Sequence, residues 1–241
     1  MNTQPLFYKK VVPLNKEQHG KLYIEPIEGY TFAKETNSLY IAAIEFGKIL
    51  REYPIVFGSD AEGNVYPVVL LGLRKNENLF VDDKGKWHAE YIPAYARRYP
   101  FILAGPGNGN DQQFAVCIDE AYPGFNTAKE GQALFDAKGE QSGVLKQAVE
   151  FLKDYQNHVQ ITTELCKIIK ELGILEPMQA NVEMRSGDKL SIGGFQCVNR
   201  KKLAELKPGK LADLVKTGQM ELIYAHLFSM NNVNTLLNRL K

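Results

Sequence analysis

Apolar residues recur along the 241-residue chain in two rhythms, and the change between them divides it. Over residues 38–52, Leu39, Ile41, Ala42, Ile44, Glu45, Phe46, Ile49 and Leu50 form a stripe at 3.6-residue spacing, which predicts a helix. Tyr53-Pro54 ends it, because a residue before proline avoids the α region. Ile55 to Phe57 and Val65 to Leu73 then read as strands, separated by turn chemistry from Gly58 to Asn64. Residues 1–36 are polar with scattered Pro and Gly, and Leu22 to Ile24 predicts one short strand.

The pattern then repeats. Arg51-Glu52-Tyr53-Pro54-Ile55-Val56-Phe57 returns as Arg97-Arg98-Tyr99-Pro100-Phe101-Ile102-Leu103. Each copy precedes a loop and a second apolar strand, Val68 to Leu71 or Phe114 to Ile118. Each ends downstream in a Leu-Phe turn, Leu79 to Gly85 or Leu134 to Gly139. This predicts two diverged helix–strand–strand repeats of about 50 residues, able to pair into one antiparallel or mixed sheet.

From about residue 141 the rhythm is helical. Val144, Leu145, Leu152, Tyr155, Leu165, Cys166 and Ile169 mark a long amphipathic helix, with a possible break at Ile161-Thr162-Thr163 and Gly173 as its cap. Val182 to Arg185 and Leu190 to Val198 read as a β-hairpin turning at Ser186-Gly187-Asp188. Asn199 caps a helix through Leu206, and Leu211 to Val215, Met220 to Phe228 and Val233 to Leu240 continue the helical run. No stretch has linker composition. The expectation is a single α+β domain over 1–241, with a β-rich part at about 1–140 and a mainly helical part at about 141–241.

Charge and cysteine content narrow the partners. Twenty-nine basic residues against 28 acidic ones give a net charge of +1, without the basic excess that a nucleic-acid binder needs. Cys117, Cys166 and Cys197 lie far apart among apolar neighbours and predict buried, reduced thiols, with no CxxC motif. The N-terminus lacks the apolar core of a secretory signal, and no apolar run reaches the roughly 18 residues of a membrane span. Together these predict a cytoplasmic location.

Several segments resemble the bacterial SapC family: Tyr53 to Phe57, Asn78-Leu79-Phe80, Trp87, Ile223 to Leu227 with Gly218 and Ser229, and above all Tyr91-Ile92-Pro93-Ala94-Tyr95-Ala96-Arg97-Arg98-Tyr99-Pro100-Phe101. The resemblance runs over essentially the whole chain. It implies an association with bacterial surface layers and supplies no catalytic residue. The transporter permease of the same name is a different protein, built from membrane spans.

The segment Trp87 to Phe101 is the strongest candidate for function. Pro93 and Pro100 confine a helix of under two turns. Trp87, Tyr91, Tyr95, Arg97 and Arg98 give it a density of aromatic and guanidinium groups suited to carboxylates, phosphates or peptides. The competing reading packs the rings in the core and pairs the arginines with acids. Arg97 aligns with Arg51 in the repeat, which favours a structural role for Arg97 and binding for Arg98.

Other constellations are weaker. His88-Ala89-Glu90, with His158 or His226, matches an iron-triad pattern. His226 on its apolar helix reads as a hydrogen-bonded core histidine. Gly105 to Asn110 lacks the helix that a phosphate loop must open and reads as a hairpin loop. Asp119-Glu120 has no third acid nearby for a cation.

The sequence therefore predicts a non-enzymatic binding or accessory protein with a protein or peptide partner, no nucleic acid and no cofactor or bound metal. Homo-oligomers are compatible with it. An iron-dependent or other small-molecule enzyme and a surface-layer subunit are the alternatives.

Overall fold

The structure, a computed structural model, describes residues 4–26, 28–105, 114–183 and 189–240, with the backbone alone for residues 180–183, 189, 190 and 192. Its strands in chain order are β1 (Val11–Pro13), β2 (Tyr23–Ile24), β3 (Ser38–Tyr40), β4 (Ile55–Ser59), β5 (Val65–Leu70), β6 (Phe101–Ala104), β7 (Ala115–Asp119), β8 (Phe125–Asn126), β9 (Gln132–Ala133), β10 (Leu175–Glu183) and β11 (Lys189–Val198). Its helices are α1 (Lys16–His19), α2 (Phe46–Ile49), α3 (Ala94–Arg97), α4 (Gly143–Glu171), α5 (Arg200–Ala204), α6 (Pro208–Lys216), α7 (Gln219–Ser229) and α8 (Val233–Arg239). This is the expected α+β class, with antiparallel pairing throughout the described sheets.

The two repeats fold alike locally but do not share a sheet. The first forms the β4–β5 hairpin and the second the β6–β7 hairpin. The expected joint sheet is corrected, because both edges of the first hairpin are taken. Its sheet runs β10-β11-β4-β5-β3, while the second hairpin lies in β1-β7-β6. A third small sheet runs β8-β2-β9. The C-terminal hairpin thus extends the sheet of the N-terminal part.

One turn recurs three times. Asp60, Asp82 and Asp136 each accept two backbone N–H bonds on Oδ1, from residues two and four ahead, at 2.7–3.0 Å. The fourth residue of each turn is Gly63, Gly85 or Gly139, at φ 77°, 82° and 75°, a conformation that a side chain strains. The second and third of these are the paired Leu-Phe turns of the repeat.

Residues 38–52 are not one helix. Leu39 and Ile41 point inward at alternate positions, and Ser38–Tyr40 pairs with Val68–Leu70. A short apolar run satisfies both periods, and the open β5 edge decides for the strand. A 3₁₀ turn over Ala43–Glu45 and α2 follow.

Helix α4 is continuous through the expected break. Thr162 and Thr163 send their hydroxyls to the carbonyls of His158 and Val159, at 2.6 and 2.9 Å, so both polar groups are absorbed by the helix. At 1.5 Å per residue it is about 44 Å long. Its first half packs Leu145 and Leu152 on Ile24, Phe101 and Ile118, and its second packs Leu165, Cys166 and Ile169 on Phe57, Val198 and Ile223. A further core joins Leu39, Ile41, Phe46, Tyr53, Phe80 and Trp87. Gly173 follows α4 at φ 64°, and Asn199 caps α5 through Lys201 N and Lys202 N, both as expected. The hairpin begins earlier than expected, at Leu175, and carries Pro177 on its edge strand. Its turn residues 186–188 and most of the Gly105–Asn110 loop lie outside the described residues.

Candidate functional site

The segment from Trp87 to Phe101 is built as expected, and its residues divide between core and surface. Helix α3 is four residues long, preceded by Pro93 and followed by the cis Tyr99–Pro100 bond. Trp87 is core rather than surface. It is 7% exposed, its Nε1 donates to the Tyr53 hydroxyl at 2.7 Å, and that hydroxyl donates to the Tyr91 carbonyl at 2.6 Å.

Tyr91 is half-buried and anchored by Glu45, a residue that sequence reasoning left inside an apolar stripe. Glu45 is 3% exposed. Its Oε1 accepts from Ala94 N at 2.7 Å and from the Tyr91 hydroxyl at 3.1 Å, and its Oε2 accepts from Ala42 N at 2.8 Å. Burial raises its pKa, and the hydrogen bonds from Ala94, Ala42 and Tyr91 oppose that rise. Desolvation, followed by the Glu45 charge, pushes the Tyr91 hydroxyl up to about 12. The available signal in the sequence was an acid at a core-facing position.

Arg97 is exposed and partly committed. Its Nε donates to the Ile92 carbonyl at 3.0 Å and its Nη2 to the Tyr91 hydroxyl at 3.1 Å. Its guanidinium lies 5.4 Å from the Tyr91 ring centre and 5.1 Å from that of Phe151 on α4. Arg98 sits over the Tyr95 ring at 3.8 Å, with Tyr155 of α4 at 5.2 Å and Tyr8 at 5.9 Å. Its Nε is buried without a hydrogen-bond partner. Among the described residues, no ion pair engages either arginine. Arg97 reaches an acid only through the Tyr91 hydroxyl, which bridges it to Glu45, and Arg98 has no direct carboxylate contact among the described residues.

Both arginines line one cleft of about 380 Å³. Its walls are Val144, Ala148 and Phe151 of α4 opposite Ile24, Pro26, Pro100 and Phe101, with Tyr99, Tyr122, Gln132 and Gln147 adding polar atoms. Among the described residues, none that line it is an acid, a histidine, a serine or a cysteine. Sequence reading missed the α4 wall, because Phe151 falls outside the helix's main apolar stripe. The neighbouring Asp119 is fully buried and spoken for. Its burial opposes the charge, but hydrogen bonds from Lys9 N, Lys10 N, Ala121 N and the Tyr99 hydroxyl prevail and hold its carboxyl below the ordinary range. It is a structural acceptor with no free oxygen for a cation.

The histidine pattern does not assemble. His88 pairs with Asp82 at 2.8 Å in the turn. His226 is fully buried, with Nδ1 donating to the Ile55 carbonyl at 2.7 Å and Nε2 accepting from Val198 N at 3.0 Å, so it has no free nitrogen. Among the described residues, no three His, Cys, Asp or Glu side chains converge. Cys117 and Cys166 are buried free thiols, and Cys197 is a free thiol that is half-exposed.

No helix among the described residues is long and apolar enough to cross a membrane. No curated protein and no solved structure matches the chain. The SapC family model matches residues 14–236, nearly the full length and with all of the cleft inside it, and the chain belongs to the SapC family.

Proposed function

We propose that this chain is a binding or accessory protein that recognises an acidic peptide segment of a partner protein in the Arg97–Arg98 cleft. The carrying observation is the pair of guanidinium groups lining one cleft beside apolar walls, neither in a direct ion pair with a carboxylate among the described residues. Guanidinium groups that line a cleft without a direct carboxylate partner are suited to the carboxylate of a ligand. The apolar walls fit a neighbouring apolar side chain of the same peptide, and the volume lies in the range of ligand pockets.

The test is a fluorescence-anisotropy screen of short peptides pairing an aromatic or aliphatic residue with a free carboxylate, against the same peptides as carboxamides. Carboxylate-dependent binding that Arg98→Gln abolishes supports the reading. Equal binding of both peptide forms, or binding that survives Arg98→Gln, rejects it.

A further inference from the structure

Two methionine sulfurs from separate elements lie within 4 Å of the Cys197 sulfur beside the five-stranded sheet. Cys197 lies on β11, Met178 on the paired strand β10, and Met230 in the turn that follows α7. The Cys197 thiol donates to Met178 Sδ at 3.2 Å, and Met230 Sδ lies 3.9 Å from the same sulfur. All three side chains are half-buried. They line a cavity of about 460 Å³ with Glu176 and Arg200, which gives them a route to solvent.

We propose that Cys197, Met178 and Met230 form a binding site for a soft monovalent cation, Cu(I). Thiolate and thioether sulfur are the ligands such an ion prefers. An ion held about 2.3 Å from three sulfurs in a plane spreads them to about 4 Å, the metal–sulfur distance being that of a zinc thiolate. The Met230–Cys197 contact already has that spacing, and the flexible Met178 side chain, with three free torsions, adjusts to the remaining spacings. Ligand softness selects the ion. One thiolate and two neutral thioethers bind a monovalent cation as a neutral group and offer no oxygen or imidazole to a harder divalent ion, while Glu176 and Arg200 in the same cavity oppose each other in charge. The step is an exchange without redox change. The S–H bond breaks, the sulfur keeps its electron pair and forms the bond to Cu(I), and the proton passes to water. Because the ion takes the place of the thiol proton, binding weakens as pH falls.

The experiment titrates reduced full-length protein with Ag(I), a redox-inert analogue, and anaerobically with Cu(I) against a chromogenic chelator. One equivalent is expected to bind. Cys197→Ala should lose it, and Met178→Leu and Met230→Leu should each weaken it by at least about tenfold, the minimum seen for support of a metal site. Leu preserves volume, so circular dichroism should stay native. Unaltered affinity in the double Met→Leu variant, or in Cys197→Ala, overturns the proposal. A second readout needs no variant. One equivalent of metal should protect Cys197 from alkylation in the unmodified chain, and equal alkylation with and without metal also overturns it.

Discussion

The Arg98 guanidinium lies 3.8 Å from the centre of the Tyr95 ring, one helical turn before it, and its Nε has no hydrogen-bond partner. The ring holds the cation in place without neutralising it. With the Tyr8 hydroxyl as a further neighbour of the Arg98 side chain, that relationship separates the residues that build the segment from those with no direct ion pair.

Arg98 is the variant that tests this division. A cation over aromatic rings contributes about 0.5–2 kcal/mol, and removing an unpartnered buried nitrogen returns a similar amount. Arg98→Leu should therefore change stability by less than about 1 kcal/mol, a Tm change of no more than about 4 °C for a chain of this size. Carboxylate-peptide binding should disappear. Thermal melting beside anisotropy checks both, and a large fall in Tm would make Arg98 structural.

Tyr53→Phe should do the reverse. It removes the acceptor of Trp87 Nε1 and the donor to the Tyr91 carbonyl while keeping the ring. Two buried polar groups lose their partner, at about 1–3 kcal/mol each. Chemical denaturation should show the loss. Peptide binding by the folded fraction should fall less than it does for Arg98→Leu.

Glu45 anchors the segment from below. Glu45→Ala orphans Ala94 N and Ala42 N and frees the Tyr91 hydroxyl, so stability should fall by more than about 2 kcal/mol. Hydrogen exchange should rise at Ala94 before it rises in β4. Unchanged protection at Ala94 would contradict the anchoring role.

His226 gives a pH dependence with a defined sign. Burial lowers its pKa from the ordinary 6.5 to about 4. Between those values the unfolded chain binds a proton that the folded chain refuses, so stability rises with pH across the window and is lost as pH falls. Each pH unit costs up to about 1.4 kcal/mol. Denaturation midpoints of the wild type should drop from pH 7 to pH 4 more steeply than those of His226→Gln, which has no titrating ring. Parallel slopes would remove His226 as the cause.

The helical half was legible because its signals are local. The apolar period of α4, the Asn199 cap and the Gly173 stop each act over one or two turns of backbone, and their elements appear at the expected places. The core role of His226 was legible too, since a lone histidine among apolar neighbours must satisfy its nitrogens locally. The short, doubly proline-bounded helix near Tyr95 followed from backbone sterics. What the linear pattern left open depends on which edge meets which. Leu39 and Ile41 fit a helix or a strand until β5 offers an unpaired edge. The two hairpins look equivalent until β11 and β3 occupy the flanks of the first. Trp87 reads as surface until the Tyr53 hydroxyl, 34 positions away, accepts its N–H. The α4 wall of the cleft and the meeting of Met178, Cys197 and Met230 arise in the same way. Local propensity is set by near neighbours along the chain, whereas pairing, burial and convergence are set by long-range packing that no short window encodes.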